Sequence, residues 1–129
     1  LQFGFDGDPD DEFQPHNYTI DSVAYTGTHD NDTSIGWYKS APLLTKLHLQ
    51  AYLNHLRGNV AWEMIRTLWS SVSIYAIAPM QDFLKLGNKA RMNYPGRLTG
   101  NWLWRMKPNA INAKLERWLA RINYIYRRD

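Results

Sequence analysis

The chain has 129 residues and a net charge of +3, with 15 Lys/Arg against 12 Asp/Glu; that length suffices for one domain with a buried core. A composition of 44% hydrophobic and 21% charged residues excludes a disordered chain, and without eighteen consecutive apolar residues no helical membrane span is expected. The absence of cysteine excludes disulfides and thiolate chemistry and fits a reducing compartment.

The charge is unevenly placed. Residues 1–40 hold eight Asp/Glu and one Lys, whereas residues 41–129 hold four Asp/Glu and fourteen Lys/Arg. The basic residues of the second part are dispersed at helical spacing (Lys114, Arg117, Arg121), and only Arg127 and Arg128 adjoin. That pattern is a solvated face, and no nucleic-acid partner is expected.

The chain opens on Leu1-Gln2-Phe3-Gly4-Phe5, which reads as the inside of a strand and suggests a fragment or a processed chain. A polar loop over 6–17 follows, broken by Gly7, Pro9 and Pro15. A second strand is predicted over 22–26. It runs into Gly27-Thr28-His29-Asp30-Asn31-Asp32-Thr33-Ser34, the densest polar stretch of the chain. Ile35-Gly36-Trp37-Tyr38 reads as a short turn. Pro42 opens a helix with apolar positions Leu43, Leu44, Leu47, Tyr52, Leu53 and Leu56, stopped by Gly58. Asn59 is an expected N-cap for a helix whose apolar face is Ala61, Met64, Ile65, Leu68 and Trp69. A third strand is predicted over 72–78, ended by Pro79, then a short helix over 80–86 and a Gly/Asn/Pro-rich loop over 87–101. The last helix places Ile111, Leu115, Trp118, Leu119, Ile122 and Ile125 on one face.

Strands alternating with helices predict an α/β fold with parallel strands, apolar on both faces. Three strands cannot close a barrel but can form part of one. In a (β/α)8 barrel the reacting residues stand at the C-terminal strand ends, and each predicted strand carries a polar cluster there: Asp6, then His29 and Asp30, then Gln81 and Asp82.

Competing chemistries fit less well. Asp6-Gly7-Asp8-Pro9-Asp10 alternates like a calcium loop, but Asp11 and Asn17 stand where Gly and Glu are needed, and Pro9 stiffens it. A metal-dependent phosphohydrolase built on His29-Asp30 needs further ligands, and His48 and His55 read as surface or packing residues of a helix. Gly96 and Gly100 carry no Lys-Ser/Thr and make no phosphate loop. Asn31 and Asp32 read as shaping their own loop. Six Trp and eight Tyr are many for this length. Trp62, Trp69 and Trp118 read as helix packing, while Tyr18, Tyr25, Trp37, Tyr94 and Trp102, in or near loops, suit a cleft that stacks on sugar rings.

Phe3-Gly4-Phe5-Asp6-Gly7, Pro15-His16-Asn17-Tyr18, Tyr25-Thr26-Gly27-Thr28-His29-Asp30-Asn31-Asp32-Thr33 and Gly36-Trp37-Tyr38 resemble the amylomaltases, the 4-alpha-glucanotransferases also called disproportionating enzymes. The resemblance continues in family order through Ala78-Pro79-Met80-Gln81-Asp82, Ala90-Arg91-Met92-Asn93, Pro95-Gly96, Gly100-Asn101-Trp102 and Trp104-Arg105. It implies the C-terminal part of a (β/α)8 barrel, about strands six to eight, in one domain spanning 1–129. It implies transfer of alpha-1,4-glucan segments between maltodextrin or starch chains with retention of configuration, without metal or cofactor. Of the family's three carboxylates, Asp30 matches the one that supports the transition state, with His29 beside it. Phe3 and Asp6 would lie at the substrate rim, and Asn93 and Pro95 near donor subsites. Arg91 fits either that loop or a structural ion pair. The nucleophile and the acid/base would lie upstream of Leu1, so the chain alone is expected to be inactive and its partner to be the missing part of the barrel. The alternative is a catalytically inactive carbohydrate-binding or interaction module derived from such an enzyme.

Overall fold

Asn59 begins the helix at the centre of the molecule. Its side-chain oxygen accepts from the Ala61 amide at 3.1 Å, satisfying one of the donors that a helix N-terminus leaves without a partner. The helix that follows, α3 (Val60–Trp69), buries Val60, Ala61, Met64, Ile65, Leu68 and Trp69. These recur by three and four, one stripe of a 3.6-residue period. The computed structural model describes every residue except His55, Arg57 and Asp129; the reading of His55 therefore lies outside the described residues.

The α3 stripe meets residues from the whole chain. Phe5, Ala24, Leu49, Leu53 and Ile122 share its core. Leu49 lies in α2 (Leu43–Tyr52). Ile122 lies in α5 (Ala113–Tyr126), whose N-cap Asn112 accepts from the amides of Lys114 and Leu115. The far end of α5 is tied down by Arg128, which donates to the carbonyls of Trp69, Ser71 and Ser73 at 3.0, 2.7 and 2.6 Å. Trp69 returns a bond, donating its indole N–H to Asn123 at 2.8 Å.

The sheet has two strands among the described residues, β1 (Val23–Tyr25) and β2 (Tyr75–Ile77). They pair in parallel, Val23 with Tyr75, Ala24 with Ala76 and Tyr25 with Ile77, as the β-α-β order predicts. Ala24 packs into the core, and Ala76 against it. The other face, Val23, Tyr25, Tyr75 and Ile77, is exposed.

Several elements differ from expectation. Residues 1–5 are not a strand. Gln2–Phe5 is a 3₁₀ turn closed by a bond from the Gly4 amide to the Leu1 carbonyl at 3.1 Å. Leu1, Gln2, Gly4 and Phe5 are all buried, a pattern without a period of two. Gly4 also lies against the Phe13 backbone, where a Cβ would stand 2.8 Å from the carbonyl. The strands predicted over 22–26 and 72–78 shrink to three residues each. The turn expected at 35–38 is a helix, α1 (Ser34–Ser40), capped by Thr33, whose hydroxyl accepts from the Gly36 amide at 3.1 Å. Helix α2 stops at Tyr52, before the left-handed Asn54 (φ 50°). Its Leu43, Leu44 and Leu47 face outward rather than into the core. The helix expected over 80–86 is the single turn α4 (Met80–Phe83), with Lys85 left-handed beyond it (φ 57°). On α5, Ile111 precedes the helix and Ile125 is exposed.

Candidate active site

The site lies where the two parallel strands end at their C-termini, the usual ligand face of such sheets. Tyr25 and Ile77, the last residues of β1 and β2, line a cavity of about 460 Å³ together with Thr28, His29, Met92 and Trp102. The loop after β1 supplies one wall, and the segment after α4 supplies the other.

The loop shapes itself. Asn31 accepts from the Thr28 amide at 2.8 Å and from its hydroxyl at 3.0 Å. Asp32 accepts from the Thr33 amide at 2.7 Å and from the Asn88 side chain at 2.6 Å. Both residues therefore organise the backbone, as the sequence suggested. A Cβ at Gly36 would run into the Asp32 carboxylate, so any larger residue there would push that carboxylate aside.

His29 and Asp30 project from this loop half-exposed, with Nε2 3.5 Å from Oδ2. The His29 ring lies 5.0 Å from that of Trp102, tilted by 38°. Trp102 holds a left-handed backbone (φ 61°), and its amide donates to the Met92 carbonyl at 2.7 Å. Asn93 donates to Asp30 Oδ1 at 2.5 Å. Each carboxylate oxygen accepts more than one hydrogen bond, so Asp30 keeps capacity for ligand hydroxyls. Asp30 itself is not part of the cavity lining; it stands beside it between His29 and Asn31, which are.

The remaining candidates divide. Phe3 is exposed, packs 5.6 Å from Phe13, and lines a neighbouring cavity of about 300 Å³ that shares Tyr25, Gly27, Thr28 and Asn31 with the first. Asp6 and Pro95 are exposed and line neither cavity. Arg91 takes part in none of the ion pairs among the described residues; it donates to the carbonyls of Asp30 at 2.6 Å and Asn93 at 2.8 Å. Sequence reasoning missed Thr28, Met92 and Asn88, none of which belongs to a residue type that stands out by chemistry.

Of the polar cluster after β2, Gln81 lines the cavity and Asp82 is structural. Asp82 is 1% exposed and accepts from the Ser34 amide (2.7 Å), the Ser34 hydroxyl (2.8 Å) and the Thr26 hydroxyl (2.8 Å). Burial pushes its carboxyl pKa up, against the pull of those three donors. Gln81 donates to the Ala90 carbonyl at 3.1 Å. In the acidic loop, Asp8 and Asp11 accept from the amides of Asp10 and Phe13 at 3.0 and 2.7 Å, so both carboxylates bind their own turns. Among the described residues no group of three or more His, Asp or Glu is placed to hold a metal ion.

The model of a family described as 4-alpha-glucanotransferase matches residues 1–112. The chain belongs to that family. It is 42% identical over 132 residues to the 4-alpha-glucanotransferase of Clostridium butyricum, covering 99% of this chain and 27% of that protein. It is 43% identical over 122 residues to the enzyme of the same name from Thermus thermophilus, covering 88% of this chain and 24% of that protein. Among solved structures it matches an amylomaltase from Streptococcus agalactiae in complex with acarbose, with a TM-score of 0.93 and 35% identity over 98% of this chain and 26% of that one. The chain thus spans about a quarter of the length of the 4-alpha-glucanotransferases it matches. The α/β arrangement is that of the corresponding part of an amylomaltase, and no helix among the described residues is long and apolar enough to cross a membrane.

Proposed function

We propose that this chain forms the C-terminal quarter of a 4-alpha-glucanotransferase, one domain with the rest of a (β/α)8 barrel, and that Asp30 is its transition-state-supporting carboxylate. The observation that carries this reading is the position of Asp30 at the C-terminal end of a parallel strand, next to His29 and bonded to Asn93. In the barrel, β1 and β2 take the seventh and eighth places, and the 3₁₀ turn follows the sixth. The exposed apolar face of the sheet supports this. Parallel sheets are covered on both faces, and Val23, Tyr25, Tyr75 and Ile77 await that cover. An amylomaltase relative bound to acarbose supports a glucan as the ligand.

The chemistry assigns each group its work. A retaining transfer needs a nucleophilic carboxylate and a proton-donating one flanking the scissile bond; both lie outside this chain. The donor ring flattens as its anomeric carbon gains oxocarbenium character. Asp30, with its remaining acceptor capacity, takes the ring hydroxyls, and bonds that tighten on flattening lower the barrier. His29 donates beside it, held by the Trp102 ring. Asn93 and Phe3 border the glucan, with Asp6 and Pro95 farther out on the rim. No step calls for a metal or an organic cofactor. The enzyme works in the cytoplasm or, in plants and algae, the plastid.

The test is disproportionation of maltotriose by the isolated chain, by the full-length enzyme carrying it, and by the Asp30→Asn enzyme. A ladder of longer maltodextrins from the full-length enzyme alone is the expected result. Ladder formation by the isolated chain would show that it holds its own nucleophile and acid and would overturn the reading. A full-length protein that binds maltodextrin without transfer would make this an inactive binding module.

A further inference from the structure

We propose that Arg91 is the positioning residue of the site: its guanidinium sets the distance between the loop that carries Asp30 and the loop that carries Asn93. The inference rests on Asp30 being the transition-state carboxylate.

Asp30 sits on an exposed loop with half its side chain in solvent, so its aim must come from elsewhere. Arg91 Nη2 donates to the Asp30 carbonyl at 2.6 Å, and Nε donates to the Asn93 carbonyl at 2.8 Å. One planar fork grips two backbone carbonyls from segments far apart in sequence, fixing both spacing and plane. With the backbones held, Asn93 Nδ2 meets Asp30 Oδ1 at 2.5 Å. The guanidinium is itself braced, its Cζ 4.9 Å from the centre of the Tyr94 ring, and the Tyr94 hydroxyl donates to the Asn88 carbonyl at 3.1 Å. No carboxylate pairs with Arg91 among the described residues, so charge neutralisation does not account for an arginine here. Geometry does: a lysine ammonium is a single point on a flexible stem and cannot hold two carbonyls in one plane.

The experiment compares Arg91→Lys, Arg91→Ala, Asn93→Ala, the Arg91→Ala/Asn93→Ala double variant and Asp30→Asn in the full-length enzyme, with maltotriose as substrate and circular dichroism as the check on folding. Misplacing a reacting group lowers turnover more than binding, so kcat should fall about ten- to hundredfold in both Arg91 variants with KM changed about twofold or less. Because Arg91 and Asn93 hold the same residue, Asp30, the double variant should lose less than the product of the two single losses. If Arg91→Ala fails to fold, Arg91→Lys decides. A folded Arg91→Lys enzyme with unchanged kcat overturns the proposal, as does a double variant whose loss is the product of the two single losses. An Asp30→Asn enzyme that keeps full activity overturns the underlying reading of Asp30. An inactive Asp30→Asn with an unaffected Arg91→Lys overturns the positioning role alone.

Discussion

Removing the Asp82 carboxylate should loosen the whole base of the site. Three donors converge on it, and they differ in what they do when it is gone. The Thr26 and Ser34 hydroxyls rotate toward other acceptors, each losing about 1 kcal/mol, whereas the buried Ser34 amide has a fixed direction and costs about 1–3 kcal/mol when left unpaired. Asp82→Ala should therefore destabilise by about 3 kcal/mol once the relief of the buried charge is set against these losses. Asp82→Asn keeps an acceptor for the amide and offers its NH₂ to hydroxyls that can accept, so it should cost about 1 kcal/mol or less. Acidity gives a second signature. Burial raises the folded-state pKa of Asp82 above its ordinary 3.8, so the folded protein holds this proton more tightly than the unfolded one. That contribution to stability is complete below the unfolded value and is lost as pH rises through the folded value. The wild type should thus lose stability relative to Asp82→Asn on going from about pH 3.5 upward, and the difference should level off once the folded carboxyl has ionised. Urea melts of the protein and the two variants across that range test both points. An Asp82→Ala variant within about 1 kcal/mol of wild type would refute the view that the Ser34 amide depends on this carboxylate.

Two further substitutions test the packing that positions the site. Asn59→Ala removes the acceptor for the Ala61 amide and should lower stability by about 1 kcal/mol, read as a lower urea midpoint with unchanged slope. Arg128→Ala frees three carbonyls that close the turn between α3 and β2 and should cost about 2 kcal/mol. Arg128→Lys should recover less than half of that, because an ammonium cannot serve three separated carbonyls at once; full recovery in a urea melt would count against the fork geometry.

The sequence was most legible where a local rule and the tertiary contact agree. Helix α3 carries both its N-cap and its full apolar stripe within eleven residues, 59–69, and it forms as predicted. The parallel pairing of β1 with β2 also follows from two short β-branched and aromatic runs separated by helices. Residues 1–5 mislead because Phe-Gly-Phe alternates like a strand, while the decisive contact, Gly4 on the Phe13 backbone, is made across a loop. Helix α1 hides because Gly36 argues against a helix, and the Thr33 cap that starts it shows in the structure. At the site, the polar loop that carries His29 and Asp30 is visible in the sequence. The role of Asp82 is not, since nothing local shows that a Ser34 amide 48 residues away needs its oxygen. Arg91 suits an ion pair equally well on sequence grounds, and only its two carbonyl partners settle what it holds.

These contacts show why a loop as polar as 27–33 can present a carboxylate at all. Its two ends are fixed by one buried acid, since Asp82 binds Thr26 just after β1 and Ser34 at the start of α1. Its middle is held from the other wall, where Asn88 bonds Asp32 and Arg91 bonds the Asp30 backbone. The anchors differ in kind. Asp82 gives charge-assisted bonds that are shielded from water and so resist exchange with solvent. Asn88 and Arg91 make bonds at the surface, where water competes for every donor. The base of the loop is thus the rigid part and its upper wall the adjustable one. On the role proposed for Asp30, turnover should therefore respond more to changes at Arg91 and Asn88, and global stability more to changes at Asp82.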